Sequence, residues 1–147
     1  MSTAYDLLLR HCCLLRSPHS SPTVDIGIQA GKIAAIAPHL DATAALELDA
    51  QNQLVSPPFV ESHIHLDSAL TVGEPRWNQS GTLFEGIEIW RERKQSLSLE
   101  EVKHRAIATL KQQAAQGVLF VRSHADVSEA NLMALQGLLA AREAVKD

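Results

Sequence analysis

The fold is decided by residues 54–67, which read LVSPPFVESHIHLD. The apolar residues of this stretch predict a β-strand, and a proline is tolerated at its start because the first residue need not donate to the ladder. His63 and His65 stand two positions apart near the end of the stretch. Side chains at positions i and i+2 of a strand point to the same face, so both imidazoles can lean toward a single ion.

Neutral imidazole nitrogen is a ligand that zinc and iron accept. The histidine pair is followed by a long loop, residues 68–81. Loops at the ends of strands are where α/β proteins place their active sites. A His-x-His pair also arises by chance in strands that bind no metal, so the spacing alone leaves both interpretations open.

Downstream of this strand the sequence changes between helix and strand patterns. Residues 82–95 predict a helix. The apolar face of this helix is expected to contain Leu83, Ile87 and Trp90. Ser98 and Glu101 form a capping-box pattern at the start of a second helix, and Gly117 stands where a helix C-terminal glycine belongs.

A second strand and a final helix complete the pattern. Residues 118–121 are continuously apolar, which is typical of a strand buried on both faces. Ser128 is then expected to cap the final helix. The inward residues of that helix are expected to be Leu132, Leu135 and Leu139. Strand, helix, strand and helix at this spacing predict a parallel sheet of the α/β class.

The first 53 residues predict short strands and carry no recognisable chemistry. Residues 24–28 and 33–37 alternate in polarity on either side of Gly31-Lys32, which favours a hairpin. Leu46 and Leu48 indicate one more strand. We therefore expect a small β-domain here.

The composition excludes several classes of protein. The chain has 147 residues, 46% of them hydrophobic, and a net charge of −4, as in an ordinary globular protein. It lacks a clustered basic run, so nucleic acid is not an expected partner. No apolar stretch approaches the ~20 residues of a membrane span, and the start does not resemble a signal peptide, so a cytoplasmic location is expected. Cys12 and Cys13 are expected to be inert thiols.

Three stretches carry a resemblance to a known family. Residues 54–67 resemble the first barrel strand of the amidohydrolase superfamily, in which Pro-Gly-Phe, an apolar and an acidic residue precede His-x-His. Pro58 stands where glycine is commonest in that pattern. Together with residues 77–87, WNQSGTLFEGI, and residues 122–128, RSHADVS, the chain resembles bacterial cytosine deaminases in particular.

The resemblance implies a (β/α)8 barrel flanked by a small β-sandwich that is built from both ends of the chain. Residues 1–53 would form the N-terminal half of the sandwich, and residues 54–147 the first two strand–helix units of the barrel. Because a complete barrel takes about 250 residues, the chain is expected to be an N-terminal fragment that is inactive alone. The alternative is a non-catalytic structural module with an exposed sheet edge.

The resemblance also implies the site residues. The metal ligands of the first strand fall on His63 and His65, and they would hold one divalent ion, Fe²⁺ or Zn²⁺. The remaining ligands and the catalytic acid–base residues are expected from later strands. Leu83 is expected to line the substrate pocket, and Trp77 would form a wall against a flat heterocycle.

Two further polar residues lie near the ends of the two strands. Asp67 can orient a ligand histidine or cap the turn that begins the loop. His124 follows the second strand and is expected at the same mouth, either in contact with the ligand histidines or as a hydrogen-bonded structural residue. Phe84 and Trp90 are expected to pack in the core.

The function that the resemblance implies is deamination of a small cytosine-like heterocycle. A metal-held hydroxide would attack the amino-bearing carbon, and ammonia would leave with the oxo product. Another amidohydrolase activity is the alternative: an isocytosine, creatinine or triazine-type deaminase, or a cyclic-amide hydrolase. The parent protein is expected to be a homo-oligomer.

Overall fold

The computed structural model describes residues 4–15 and 23–146. The chain divides into two compact units, Met1–Pro57 and Pro58–Asp147. Among the described residues, the first unit contains only strands, and the second contains two parallel strands and three helices. The fold class is therefore α/β. No helix in the described ranges combines the length and the apolarity that crossing a membrane requires.

The first unit is a five-stranded sheet. Its strands are β1 (Ala4–Leu14), β2 (Val24–Gln29), β3 (Lys32–Ala37), β4 (Thr43–Asp49) and β5 (Leu54–Val55). The order is β3-β2-β1-β4, and β5 also pairs with β1. Strand β1 is antiparallel to β2 and parallel to both β4 and β5.

The predicted hairpin and the predicted strand at Leu46 and Leu48 are both confirmed. The hairpin turn lies one residue earlier than expected, because Ala30 and Gly31 adopt φ of 50° and 71° and Lys32 already begins β3. Two consecutive positive φ angles are typical of a tight hairpin turn whose twist matches that of its strands. Cys12 is fully buried, and burial raises the pKa of its thiol, as expected of an inert cysteine.

The second unit is built on a two-stranded parallel sheet. Its elements are β6 (Phe59–Ile64), α1 (Leu83–Lys94), α2 (Leu99–Ala115), β7 (Val118–Ser123) and α3 (Met133–Ala144). The strand predicted to follow Pro57-Pro58 is confirmed as β6, but it ends at Ile64, before His65 and Asp67, and Leu54–Val55 form the separate strand β5. Prolines cannot donate to a ladder, which explains the interruption.

Local signals placed the first two helices correctly. The side chain of Thr82 accepts a hydrogen bond from the amide of Glu85, and that of Ser98 accepts one from the amide of Glu101. These contacts satisfy amides of the first turn that have no partner within the helix. Gly117 follows α2 with a φ of 84°, as predicted for a C-terminal glycine.

The prediction for the last helix is wrong at its start and on its inward face. Helix α3 begins at Met133, after Leu132 in a left-handed conformation, and Ser128 lies well outside it. Leu132 and Leu139 are exposed. The buried residues of α3 are the small ones, Ala134, Gly137 and Ala141. Small residues allow α3 to lie close against α2, while Leu135 and Leu138 are half-buried.

The core of the second unit covers one face of the sheet. Leu66, Ala106 and Ala141 are its buried members. Partly buried residues pack around them: Ile64, Ile107, Leu110, Val121 and Leu138. Strand β7 is therefore not buried on both faces, and both Leu119 and Phe120 are 62% exposed.

Helix α1 differs from the expectation that its apolar residues pack in a core. Phe84 is 81% exposed, and Leu83 and Ile87 are also exposed, while Trp90 is half-buried. The helix is held instead by side-chain hydrogen bonds from Trp90, Arg93 and Lys94. Because these polar contacts hold α1 in place, its apolar residues do not make the core contacts that their spacing predicts.

Candidate active site

Three histidines cluster at the carboxyl ends of the two parallel strands. His63 is in β6, His65 lies one residue beyond it, and His124 lies one residue beyond β7. The ring centroids of His63 and His65 are 5.6 Å apart, and His124 stacks on His63 at 3.9 Å. Its ring is 5.7 Å from that of His65. The two histidines of the His-x-His pair therefore lie side by side.

Backbone contacts hold the ends of β6 and β7 together. The amide of His124 donates to the carbonyl of Ile64 at 2.8 Å. The amide of Leu66 donates to the hydroxyl of Ser123 at 3.2 Å. These two bonds continue the pairing of the strands past the ladder, and they place the histidine rings of both strands at one edge.

His124 has an environment that favours its neutral form. Burial lowers its pKa, and repulsion from His63 and Arg122 lowers it further. Its Nδ1 is buried and lacks a hydrogen-bond partner among the described atoms. The expectation of a hydrogen-bonded structural histidine is therefore not met at Nδ1. The ring is placed instead to support His63 by stacking.

Asp67 makes contacts of both kinds that the sequence suggested. It is 1% exposed, and its Oδ1 accepts a hydrogen bond from the amide of Ser68 at 3.1 Å, as a turn cap would. The same oxygen lies 3.7 Å from Nδ1 of His65. That distance is too long for a hydrogen bond, so the carboxylate lies near the ring without bonding to it. Asp67 lies beyond the strand, so its place beside His65 results from the turn.

The histidine pair fits part of a metal site. His63 and His65 are both exposed, and their imidazole nitrogens are the donors that zinc and divalent iron accept. Within residues 4–15 and 23–146, no group of three or more His, Cys, Asp or Glu side chains is arranged to hold an ion. The two rings can therefore supply two ligands of a larger set.

The two expected pocket residues line separate cavities. Trp77 lies over Gly73 and lines a cavity of about 380 Å³ between residues 68–78 and α1. Leu83 lines a second cavity of about 700 Å³ on another side of α1. None of the three clustered histidines is among the residues that line either cavity. The described residues thus do not bring Trp77 and Leu83 into one pocket with His63 and His65.

A sequence model of the amidohydrolase family matches residues 46–145, more than half of the chain. The chain belongs to the amidohydrolase family. The match includes both strands and all three helices of the second unit, and with them the histidine cluster.

Relatives of this amidohydrolase include characterised enzymes and a solved structure. It is 34% identical over its whole length to the N-isopropylammelide isopropyl amidohydrolase of Pseudomonas sp. (strain ADP), of which it covers 37%. It is 42% identical to the 5-methylcytosine deaminase of Klebsiella pneumoniae, with a TM-score of 0.84, and the match covers 93% of this chain and 33% of that one. An allantoinase of Rubrobacter xylanophilus is 33% identical over 82 residues, 54% of this chain and 17% of the allantoinase. The chain spans about a third of the length of the first two.

Sequence reasoning missed Asp126, which lies two residues after His124 and contacts both Asp67 and α1. Its backbone amide donates to Oδ2 of Asp67 at 2.7 Å, and its carboxylate accepts from Trp90 and Lys94 of α1. A signal was present in the sequence. His65 and Asp67 repeat the spacing of His124 and Asp126, so each strand ends in the same His-x-Asp pattern.

A second missed feature is a charged cluster below the loop that follows β6. Glu101 accepts hydrogen bonds from both Arg93 and Arg105, whose side chains are 10% exposed. Arg105 also donates to the carbonyl of Ala69 at 2.6 Å, and Arg93 donates to Glu74 at 3.0 Å. Residues 69 and 74 belong to the loop after the histidine pair, so this cluster fixes the course of that loop.

Proposed function

We propose that this chain is part of a metal-dependent hydrolase that deaminates a cytosine-like heterocycle and releases ammonia. The observation that carries the proposal is the side-by-side arrangement of His63 and His65 at the end of β6. Its support is the 42% identity and the TM-score of 0.84 to a 5-methylcytosine deaminase. In this proposal the second unit is the first part of a (β/α)8 barrel, and the first unit is part of a small β-sandwich.

In this proposal, His63 and His65 hold one Zn²⁺ or Fe²⁺ ion with ligands from outside the described residues. A bound divalent ion lowers the pKa of a water toward 7 and so supplies a nucleophile at neutral pH. His124 keeps the ring of His63 in place by stacking at 3.9 Å. Asp67 biases the orientation of His65 from its buried position 3.7 Å away.

The heterocycle would bind beside the loop that joins β6 to α1. Leu83, in the first turn of α1, and the exposed indole of Trp77 line separate cavities that share Gly86 and Trp90, and in this proposal each of them borders the heterocycle. Aromatic side chains stack well on planar rings, which suits a pyrimidine. Both residues lie in the stretch 77–87, one of the stretches that resemble cytosine deaminases.

A triazine ring is the second candidate substrate. The observation that favours it is the 34% identity, over the whole of this chain, to a protein named as an N-isopropylammelide isopropyl amidohydrolase. An amino-substituted triazine presents the same kind of planar ring and amine leaving group as a cytosine. The two candidates share the metal and the histidines, and they differ in the shape of the pocket.

Product release by the purified gene product that contains this chain distinguishes the candidates. Cytosine, 5-methylcytosine and an amino-substituted triazine are supplied in turn with Zn²⁺ or Fe²⁺, and the released ammonia or amine is measured. We expect ammonia to be released from cytosine or 5-methylcytosine by the parent, and not by His63→Ala. Release from the triazine alone would replace the first candidate by the second, and release from none of them would contradict both.

A further inference from the structure

We infer that Asp126 is a positioning residue that couples helix α1 to the candidate metal ligands. This inference rests on the proposed function, since it concerns how the residues of that site are held. Asp126 follows His124 by two positions and makes hydrogen bonds in two opposite directions, one set to α1 and one bond to Asp67. Its described hydrogen bonds go to α1, Asp67 and Ser128 rather than to the candidate metal ligands, so in this inference it acts through its neighbours.

The side chain of Asp126 fixes the position of α1. Its Oδ2 accepts hydrogen bonds from Nε1 of Trp90 at 2.8 Å and from Nζ of Lys94 at 3.0 Å. Its Oδ1 accepts the amide of Ser128 at 2.8 Å. Hydrogen bonds between a carboxylate and an ammonium are roughly twice as strong as neutral ones. Because the apolar residues Leu83, Phe84 and Ile87 of α1 are exposed, polar contacts of this kind locate the helix.

The backbone of Asp126 fixes the position of Asp67. Its amide donates to Oδ2 of Asp67 at 2.7 Å, while Oδ1 of Asp67 accepts the amide of Ser68 and faces His65. Asp67 is 1% exposed, so these protein donors replace water around its carboxylate. A shift of residue 126 would therefore reorient Asp67, and with it the charge beside His65.

The two sets of contacts meet at one residue. Helix α1 carries Leu83 in its first turn, and the strand ends carry His63 and His65. Asp126 thus links the segment proposed to hold the heterocycle with the segment proposed to hold the ion. Displacements of about 1 Å in such an arrangement reduce rates by roughly a hundredfold.

The first measurement needs neither metal nor substrate. Hydrogen exchange of the amide of residue 126 and the fluorescence of Trp90, in a Trp77→Phe background, are compared in the purified protein with Asp126, Asp126→Asn and Asp126→Ala. We expect exchange of this amide to accelerate at least about tenfold in Asp126→Ala, with a red shift of the Trp90 emission. Asp126→Asn keeps an acceptor oxygen, so its exchange rate is expected to lie between those of the parent and of Asp126→Ala. Unchanged exchange in both variants would overturn the inference.

Glu129→Gln is the matched control. Glu129 accepts from the same Nζ of Lys94 at 3.3 Å, but it is 52% exposed in its side chain and contacts neither Trp90 nor Asp67 in the described structure. This variant removes a carboxylate from Lys94 and leaves the link through residue 126 in place. Exchange and fluorescence are expected to match those of the parent, and changes equal to those in Asp126→Ala would contradict the inference.

The second measurement asks whether the link reaches the ion. The dissociation constant for Zn²⁺ is measured for the same variants in the gene product that contains this chain. Loss of groups that orient ligands typically weakens metal binding by about 10–100-fold, and we expect this for Asp126→Ala but not for Glu129→Gln. Faster exchange with unchanged zinc affinity would show a purely structural residue and overturn the inference. Absence of zinc binding in the parent would contradict the proposed function. The hydrogen-exchange measurement would then still test whether Asp126 couples α1 to Asp67.

Discussion

At the scale of single residues, Gly137 sets the distance between α2 and α3. A Cβ at this position would lie 2.6 Å from Cβ of Val102, which is fully buried. Gly137→Ala is therefore expected to destabilise the protein by about 1–3 kcal/mol, since overpacking forces the backbone to shift. Urea or thermal unfolding measures the change.

The control for this substitution is a second helical glycine. A Cβ at Gly86 would meet Nδ2 of Asn78 at 3.6 Å, which is an ordinary contact. Gly86→Ala is expected to stabilise α1 by roughly 0.5–1 kcal/mol through helix propensity. Equal effects of the two substitutions would contradict the close approach of α2 and α3.

Glu85 makes the segment before α1 sensitive to acid. Hydrogen bonds from the hydroxyl and the amide of Ser80, and from the amide of Gln79, lower the pKa of Glu85 to about 2. Because its pKa in the unfolded chain is the ordinary 4.5, the ionised carboxylate stabilises the fold above pH 4.5. That stabilisation is lost as the pH falls from 4.5 toward 2.

The difference in Tm between the parent and Glu85→Gln measures this contribution as a function of pH. The difference is expected to be constant at neutral pH and to shrink toward zero as the pH approaches 2. Glu88→Gln removes an exposed carboxylate from the same helix and serves as the control. A carboxyl group of Glu85 that titrates near 4.5 in a carbon NMR experiment would contradict the prediction.

At the scale of elements, contacts within one helical turn could be predicted from the sequence, and contacts between residues far apart in sequence could not. The caps at Thr82 and Ser98 are contacts within one helical turn, so the sequence contains all the information that they need. The buried face of α3 depends on how closely Gly137 approaches Val102, a contact between residues far apart in sequence. The spacing of leucines alone therefore assigned the wrong face to α3.

The charged cluster under the loop after β6 leads to a prediction about stability. Removing the charge of Glu101 leaves Arg93 and Arg105 nearly buried without their shared carboxylate. Glu101→Gln is expected to reduce the free energy of unfolding by about 3 kcal/mol, because the nearly buried Arg105 loses its paired carboxylate, while Arg93 keeps Glu74. Chemical denaturation provides the measurement.

Glu100→Gln is the neighbouring control for the charged cluster. Its side chain is 78% exposed and pairs with Lys103 only at 3.8 Å, so the expected change is within about 0.5 kcal/mol. A loss at Glu101 no larger than the loss at Glu100 would show that the cluster contributes little.

At the scale of the whole molecule, the sequence predicted that His63 and His65 lie side by side but not where Asp126 lies. The i and i+2 spacing placed His63 and His65 side by side, because that relation holds along any strand. The position of Asp126 behind Asp67 could not be derived, since it depends on the packing of α1 against the loop after β7. The cavities beside Trp77 and Leu83 are formed partly by loops, so the periodic patterns of the sequence could not predict them either.

The central claim is that His63 and His65 together hold one divalent ion. Metal content per molecule, measured by plasma mass spectrometry on the gene product that contains this chain, tests it directly. His63→Ala and His65→Ala are compared with His104→Ala, an exposed histidine of α2. We expect about one ion per molecule in the parent and in His104→Ala, and a loss of at least about tenfold in His63→Ala and His65→Ala. Full metal occupancy in His63→Ala and His65→Ala would contradict it.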